Sequence, residues 1–133
     1  MSDLLKFTIP GKTEYVQMVR LAIGSVAGKA NFDVDAVEDI KAAVEEACKS
    51  VFCHGFEGYS NSFEIICEIE SESMIITVND DCGGHDIVKE NKPCWICPDQ
   101  GDLSFPVMES LMDSVEVESD KDGYKSIRMV KNK

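Results

Sequence analysis

Glu46, Ser50 and His54 recur at every fourth position near the end of an apolar-periodic segment, and their side chains could do chemistry. Apolar residues in that segment repeat at intervals of three and four, which predicts a helix. Because successive helical residues are rotated by about 100°, positions four apart form one stripe. A carboxylate on a stripe that borders a cleft can accept a proton. The same residues also fit an ordinary solvated helix surface, and both interpretations stay open.

A second candidate is Asp80, which follows an alternating segment at 75–78 and precedes the glycines Gly83 and Gly84. An aspartate at a strand end can present its carboxylate to a ligand, and glycines let the backbone bend closely around that ligand. The pattern therefore indicates a binding loop. Taken alone, it is also typical of a simple turn.

The third group is a C-x-x-C pair, Cys94 and Cys97, which could be half of a zinc site or a redox pair. Two further zinc ligands would have to come from a set of four residues: Cys53, His54, Cys82 and His85. The chain has no second C-x-x-C, so the sequence favours an incidental pair over zinc. Cys48 and Cys67 lie in apolar positions and are predicted to be core residues.

Hydrophobic periodicity predicts the elements that must position these residues. Strands are expected at 5–9, 63–68, 74–78, 114–119 and 126–130, with 63–68 and 74–78 forming a hairpin. A first helix is expected from a cap at Thr13 to about residue 30, where Gly24 and Gly28 permit close packing. A capping box at Asp35 and Glu38 begins the second helix. A third helix is expected at 105–113.

The order of strands and helices predicts an α/β two-layer sandwich. Its sheet should be mixed and mostly antiparallel, with about three helices on one face. Residues 1–133 are expected to form a single domain. Residues 85–104 lack a clear period and contain prolines and glycines, so they are interpreted as a lid loop. A binding cleft would lie between the second helix and this lid.

Composition limits the partners. The formal net charge is −12, so a nucleic acid or an anionic membrane would repel the chain, whereas a basic protein partner would be attracted. No apolar run is long enough for a membrane span, and the first residues do not resemble a signal peptide. These features predict a cytoplasmic protein.

Together, these segments resemble the anti-sigma factor serine kinases, which share the histidine-kinase-like (GHKL) ATPase fold. The family's first box is Glu, Asn and a basic residue at four-residue spacing, where this chain has Glu46, Ser50 and His54. Its second box, Asp-x-Gly-x-Gly, falls on three residues here: Asp80, Cys82 and Gly84. Its Gly-x-Gly before the third helix falls on Asp102 and Ser104.

The resemblance implies a role for each position. Glu46 would be the general base that accepts a proton from a substrate serine, and Asp80 would accept the adenine amino group. Residue 50 would hold Mg²⁺ for ATP, and Gly84 would pass close to the base. The lid and the start of the third helix would cradle the triphosphate. Family members bind a sigma factor or phosphorylate its antagonist, and many are homodimers.

Four positions depart from this family pattern. Ser50 stands in place of the asparagine and Cys82 in place of a glycine, while Asp102 and Ser104 replace the glycines of the phosphate loop. These changes predict weakened ATP and Mg²⁺ binding. Three hypotheses follow: an anti-sigma-type regulator with weak nucleotide binding, an active ATP-dependent serine kinase, and a metal or redox sensor that uses the lid cysteines.

Overall fold

The computed structural model describes residues 3–10, 13–53, 62–80, 104–119 and 125–133. The elements in chain order are β1 (Asp3–Pro10), α1 (Val16–Lys29), α2 (Val34–Cys53), β2 (Ser62–Ile69), β3 (Ser73–Asp80), α3 (Ser104–Leu111), β4 (Ser114–Ser119) and β5 (Lys125–Asn132). A single 3-10 turn, Thr13–Tyr15, precedes α1. All the predicted strands and helices are present, with boundaries that differ by a few residues at most for the strands and the third helix.

The five strands form one sheet in the order β1-β2-β3-β5-β4. Every pairing between these described strands is antiparallel, so the parallel component of the predicted mixed sheet is not found among them. The predicted hairpin of β2 and β3 is confirmed, with Ile65 opposite Val78. Val78 in turn lies opposite Ile127 of β5, which fixes a continuous apolar row across the sheet.

The apolar face of the sheet is covered by the helices. Ile65, Cys67, Ile76 and Met129 are completely buried there, because alternate residues of a strand point to the same side. Helix α2 packs on β3 and β5 and also contacts α1 and α3. Its buried residues recur at helical spacing: Ile40, Ala43, Val44, Ala47 and Cys48. The predicted two-layer arrangement is therefore present, with α2 at its centre.

The turn between α1 and α2 explains where the first helix ends. Asn31 has a positive φ of 69°. The amide of Phe32 donates to the carbonyl of Ala27, and the amide of Asn31 donates to that of Gly28. This pair of bonds is a Schellman motif, in which a left-handed residue satisfies the last carbonyls of the helix. Phe32 is then buried beside the core.

Two predicted helix caps are wrong. Tyr15, not Thr13, is the residue that precedes α1, and it makes no side-chain capping bond. At α2 the cap is Asp33, whose Oδ1 accepts a hydrogen bond of 2.7 Å from the Ala36 amide. Asp35 lies two residues further, inside the first turn of α2. The Schellman motif ends at Phe32, so Asp33 is the residue that immediately precedes the first turn of α2. From this position a side chain can accept a hydrogen bond from one of the unpaired amides of that turn.

The close packing expected at the glycines of α1 occurs at one of them. A Cβ atom added to Gly24 would lie 2.7 Å from Cδ of Lys41 on α2, so any larger residue here would have to displace that side chain. Gly28 has no atom within 4 Å of the corresponding position. The prediction of close packing is therefore confirmed for Gly24 and wrong for Gly28.

Candidate functional site

Helix α2 carries the first candidate residue. Glu46 is half-buried and lies between Val44 and Ala47, which are both completely inaccessible to solvent. This position is where the stripe meets the apolar face, as predicted. Ser50 lies one turn further along α2, inside the described helix. The helical spacing of Glu46 and Ser50 is thus confirmed, whereas the side chain of Ser50 and all of His54 lie outside what the structure describes.

Asp80 is the last residue of β3, which confirms the prediction of an aspartate at a strand end. Its backbone pairs with Phe63, near the beginning of β2. Eight residues, 54–61, connect Cys53 at the end of α2 with Ser62 at the beginning of β2. The helix that carries Glu46 therefore precedes β2 in the chain, and the strand end that carries Asp80 is paired with the beginning of β2. Cys82 and Gly84 lie outside the described residues, and the binding cleft between the second helix and the lid stays a prediction.

The third candidate group adjoins α3. Ser104 is the first residue of this helix, one residue earlier than predicted, and Asp102 lies outside the described part of the chain. Helix α3 packs against α2, and its Met108 is completely buried in the hydrophobic core. This packing brings the helix that follows the predicted lid alongside the helix that carries Glu46. The lid itself, at 85–104, is outside the described residues except for Ser104.

Two cysteines are resolved as core residues, as predicted. Cys48 and Cys67 are free thiols with no exposed surface. Burial raises the pKa of Cys48 to about 12, and the Glu45 carboxylate adds to the shift. Burial also raises the pKa of Cys67 to about 12, with a further contribution from Glu68. A thiol that stays protonated is a poor nucleophile and metal ligand, so neither residue is suited to redox or metal chemistry.

The C-x-x-C pair stays a prediction, and of its proposed co-ligands only the backbone of Cys53 is described. Cys94 and Cys97 lie outside the described residues. Among the residues that are described, no group of three or more His, Cys, Asp or Glu side chains is arranged to hold a metal ion. Nor does any helix in the described ranges have the length and apolar content needed to cross a membrane.

The structure also shows charged contacts that periodicity did not predict. Arg20 of α1 pairs with Glu45 of α2 at 2.7 Å, immediately beside Glu46. Lys131 of β5 donates to the Leu111 carbonyl at 2.6 Å and lies 3.6 Å from the Asp39 carboxylate of α2. The sequence contains one indication of the Lys131 contact: this lysine interrupts the apolar alternation of β5 on the face that the helices cover.

The architecture defines the class of this protein. In the described part of the chain, five antiparallel strands form a sheet with three helices on one face, which is the arrangement of histidine kinase-like ATPase domains. The structure superposes on that of the RsbU and RsbW domains of Rv1364c from Mycobacterium tuberculosis with a TM-score of 0.73. That match covers 98% of this chain and 32% of the other, at 14% identity, so it supports the fold alone.

Sequence comparison identifies the family. The model of the histidine kinase-like ATPase domain matches residues 9–131. The chain is 30% identical over 129 residues to "Serine-protein kinase RsbW" of Bacillus licheniformis, covering 90% of this chain and 80% of that protein. It is 33% identical over 121 residues to "Anti-sigma F factor" of Clostridium acetobutylicum, covering 88% and 83%. The chain therefore belongs to the histidine kinase-like ATPase family, among the anti-sigma factor serine kinases.

This family uses ATP and Mg²⁺, and the donor set of the chain fits them only in part. Carboxylates at positions 46 and 80 match the family pattern, and both positions lie on the expected elements. Position 50 offers a hydroxyl on a short side chain where the family has an amide carbonyl, which reaches further toward a hard cation. Position 50 of this chain therefore lacks the amide carbonyl that the family has there.

Proposed function

We propose that this protein is a cytoplasmic regulator of the anti-sigma type, which binds a sigma factor or the antagonist of an anti-sigma factor. The observation that carries the proposal is the family match over residues 9–131 together with α2 in its expected place, with Glu46 half-buried. The net charge of −12 supports a protein partner with a basic contact surface rather than a nucleic acid.

Weakened nucleotide binding is the second part of the proposal. It rests on residue types at three positions: Ser50, Cys82 and Asp102. A serine in place of the asparagine removes a carbonyl ligand from Mg²⁺. A side chain replaces hydrogen where a glycine permits close backbone approach, and a carboxylate beside a triphosphate repels it. Each change lowers the affinity for Mg-ATP, whereas none removes the base at Glu46.

An ATP titration tests this part directly. Ligand binding to the folded state raises stability by RT ln(1 + [L]/Kd), so a dissociation constant near the ligand concentration gives less than about 1 kcal/mol. We expect the melting temperature to rise by less than about 2 °C at millimolar Mg-ATP. Calorimetry of the same mixture gives the dissociation constant. A micromolar value would contradict weakened binding and leave the family assignment intact.

An active kinase is the second candidate function, and the retained Glu46 favours it. Phosphate transfer from labelled ATP to a serine of a candidate antagonist would demonstrate it. In that case Glu46→Gln should abolish transfer, because the amide cannot accept the serine proton, while partner binding persists. Glu38→Gln, at an exposed position of the same helix, is the matched control and should leave transfer unchanged.

A homodimer is the third part of the proposal. Strands β1 and β4 are the two edges of the described sheet, and unpaired edges can support association. β1 also exposes two leucines, Leu4 at 57% and Leu5 at 38%. Light scattering at micromolar concentration distinguishes a 14.7 kDa monomer from a species of twice that mass. A mass that stays at the monomer value up to high concentration would contradict the dimer.

A further inference from the structure

Lys131 lies where the pattern of β5 calls for an apolar residue. Ile127 and Met129 point to the helices and are completely buried, and Lys131 continues the same alternation. Its side chain retains only 16% of its accessible surface, which is low for a lysine. A lysine in such a place needs polar partners for its ammonium group.

The ammonium group of Lys131 finds those partners on two helices. Nζ donates to the carbonyl of Leu111, the last residue of α3, across 2.6 Å, and lies 3.6 Å from Oδ2 of Asp39 on α2. A cation at the carboxyl end of a helix is favourable, because the last carbonyls lack amide partners and carry partial negative charge. One side chain therefore joins α3, α2 and β5.

Backbone contacts fix the same end of α3. The Asp113 amide donates to the carbonyl of Val130 at 2.9 Å, and the Asn132 amide donates to Oδ2 of Asp113 at 2.6 Å. The connection from α3 to β4 is thus hydrogen-bonded to β5 on both sides of Lys131. Helix α3 has eight residues and a length of about 12 Å, so an anchor at one end also sets the direction of the other.

Asp39 lies on the face of α2 that carries Glu46. The two residues are seven positions apart, which corresponds to about 700° of rotation, within about 20° of two full turns. They are separated by about 10 Å along the helix axis. The contact between Lys131 and Asp39 therefore holds α3 beside the stripe of α2 on which Glu46 and Ser50 lie.

We propose that Lys131 is a positioning residue that fixes α3 against the Glu46 face of α2. The role in ligand binding rests on the proposed function, in which the start of α3 would hold the triphosphate of ATP near the stripe of α2 that carries Glu46. The lysine itself touches no ligand in this proposal. It acts through the carboxyl end of α3, and its loss should free that helix before it affects the sheet.

Amide hydrogen exchange of the full chain tests the positioning role without any ligand. In Lys131→Met we expect amides of α3 to exchange at least about tenfold faster, while those of β2 and β3 keep their rates. Lys131→Arg should restore protection, since a guanidinium can reach both acceptors. Asp39→Asn should give a smaller increase, because the bond to Leu111 remains. Unchanged exchange in α3, or equal acceleration in every element, would overturn the proposal.

Lys133→Met is the matched control. Lys133 lies two residues beyond Lys131, donates to the Ser71 carbonyl at 3.0 Å and lies over the ring of Phe32 at 5.6 Å. It has the same charge and contacts the turn between β2 and β3 instead of α3. This variant should leave exchange in α3 at the wild-type rate, and faster exchange in α3 would overturn the assignment to Lys131.

Titration with Mg-ATP separates this inference from the proposed function. The dissociation constant of the wild type, weak or tight, decides only the proposed function. Where binding is measurable, Lys131→Met should raise the dissociation constant at least about fivefold and Lys131→Arg should restore it. If Lys131→Met speeds hydrogen exchange in α3 but leaves the dissociation constant of Mg-ATP unchanged, the proposed connection between Lys131 and nucleotide binding would be overturned. Where the wild type shows no binding, hydrogen exchange alone decides the inference.

Discussion

Arg20 of α1 donates a hydrogen bond of 2.7 Å to the Glu45 carboxylate of α2, one residue before Glu46. Both side chains retain less than a third of their accessible surface, 30% for Arg20 and 26% for Glu45. The contact spans 25 residues of sequence and connects the two helices at the level of the candidate base. The contact therefore joins α1 to the turn of α2 that carries Glu46.

A double-mutant cycle should measure this coupling. Arg20→Met and Glu45→Gln each remove the ion pair, and the double variant corrects for the other contacts of Glu45. Because water still reaches both groups, we expect a coupling free energy of about 0.5–1 kcal/mol in urea unfolding. The coupling should fall in 1 M salt, because screening weakens partly exposed pairs. A value of zero at low salt would contradict the pairing.

The cap of α2 gives a prediction with a built-in control. Asp33→Ala removes the acceptor of the Ala36 amide and should lower the free energy of unfolding by about 1 kcal/mol. Asp35→Ala, two residues later, changes only the interaction of a charge with the helix dipole and should cost a few tenths of a kcal/mol. Urea denaturation of both variants compares the two positions. A larger loss of stability in Asp35→Ala than in Asp33→Ala would indicate that Asp35 is the cap, as the sequence predicts.

This helix start also shows what the sequence could and could not predict. The periodicity of α2 and the alternation of β2 and β3 predicted those elements because their burial repeats at fixed intervals. Asp33 and Asp35 are chemically equivalent caps, and the glutamate at position 38 favours Asp35. In the structure Asp33 is the cap, because Phe32 is buried and Asn31 is left-handed, which ends the turn immediately before Asp33. Both features depend on tertiary packing.

The same distinction holds at the candidate site. Glu46 and Asp80 were placed correctly on a helix and at a strand end, since each position follows from a local pattern. Lys131 was missed as a contact, because the partners it needs are about 20 and 90 residues away in sequence. Local periodicity carries no information on which distant carbonyl or carboxylate will face a strand.

The two glycines of α1 should respond differently to alanine. Gly28→Ala enters open space and should raise the free energy of unfolding by about 0.5–1 kcal/mol, because alanine loses less backbone entropy in a helix. Gly24→Ala has the same advantage in backbone entropy but must displace the aliphatic part of Lys41. Its change in the free energy of unfolding should therefore be smaller or negative. Thermal and urea denaturation of the two variants provides the comparison. Equal stabilisation at both positions would contradict the close contact with Lys41.

The buried thiols predict a loss of stability at alkaline pH. The pKa of Cys48 is about 12 in the folded protein and 9.0 for an ordinary thiol, so above pH 9 the unfolded state loses a proton that the folded state keeps. Stability should therefore fall as pH rises from 9 towards 12, by about 1.4 kcal/mol per pH unit. Below pH 9 this thiol should contribute no slope.

Comparison with Cys48→Ala isolates this effect, because tyrosines and lysines titrate equally in both proteins. Between pH 9 and pH 10.5 the wild type should lose about 1.6 kcal/mol more than the variant. Alkylation followed by peptide mapping provides a second measurement, in which Cys48 and Cys67 should react only after denaturation. Parallel pH profiles, or rapid alkylation of Cys48 in the native protein, would contradict its burial.

Restoring family residues at the candidate site should strengthen nucleotide binding. Ser50→Asn supplies the amide carbonyl that a hard cation prefers, and Asp102→Gly removes a carboxylate that repels the triphosphate. The double variant should bind Mg-ATP at least about tenfold more tightly than the wild type, a gain of about 1.4 kcal/mol in calorimetry. Ser25→Asn, at an exposed position of α1, is the control for a serine-to-asparagine change in a helix.

The two single variants assign any gain to its cause. A gain in Ser50→Asn that requires Mg²⁺ would place position 50 at the metal, because an improved phosphate loop alone would act without it. A gain in Asp102→Gly that shrinks at high salt would identify charge repulsion as the defect, since salt screens it. No gain in the double variant would mean that positions 50 and 102 do not correspond to the family's magnesium and phosphate residues.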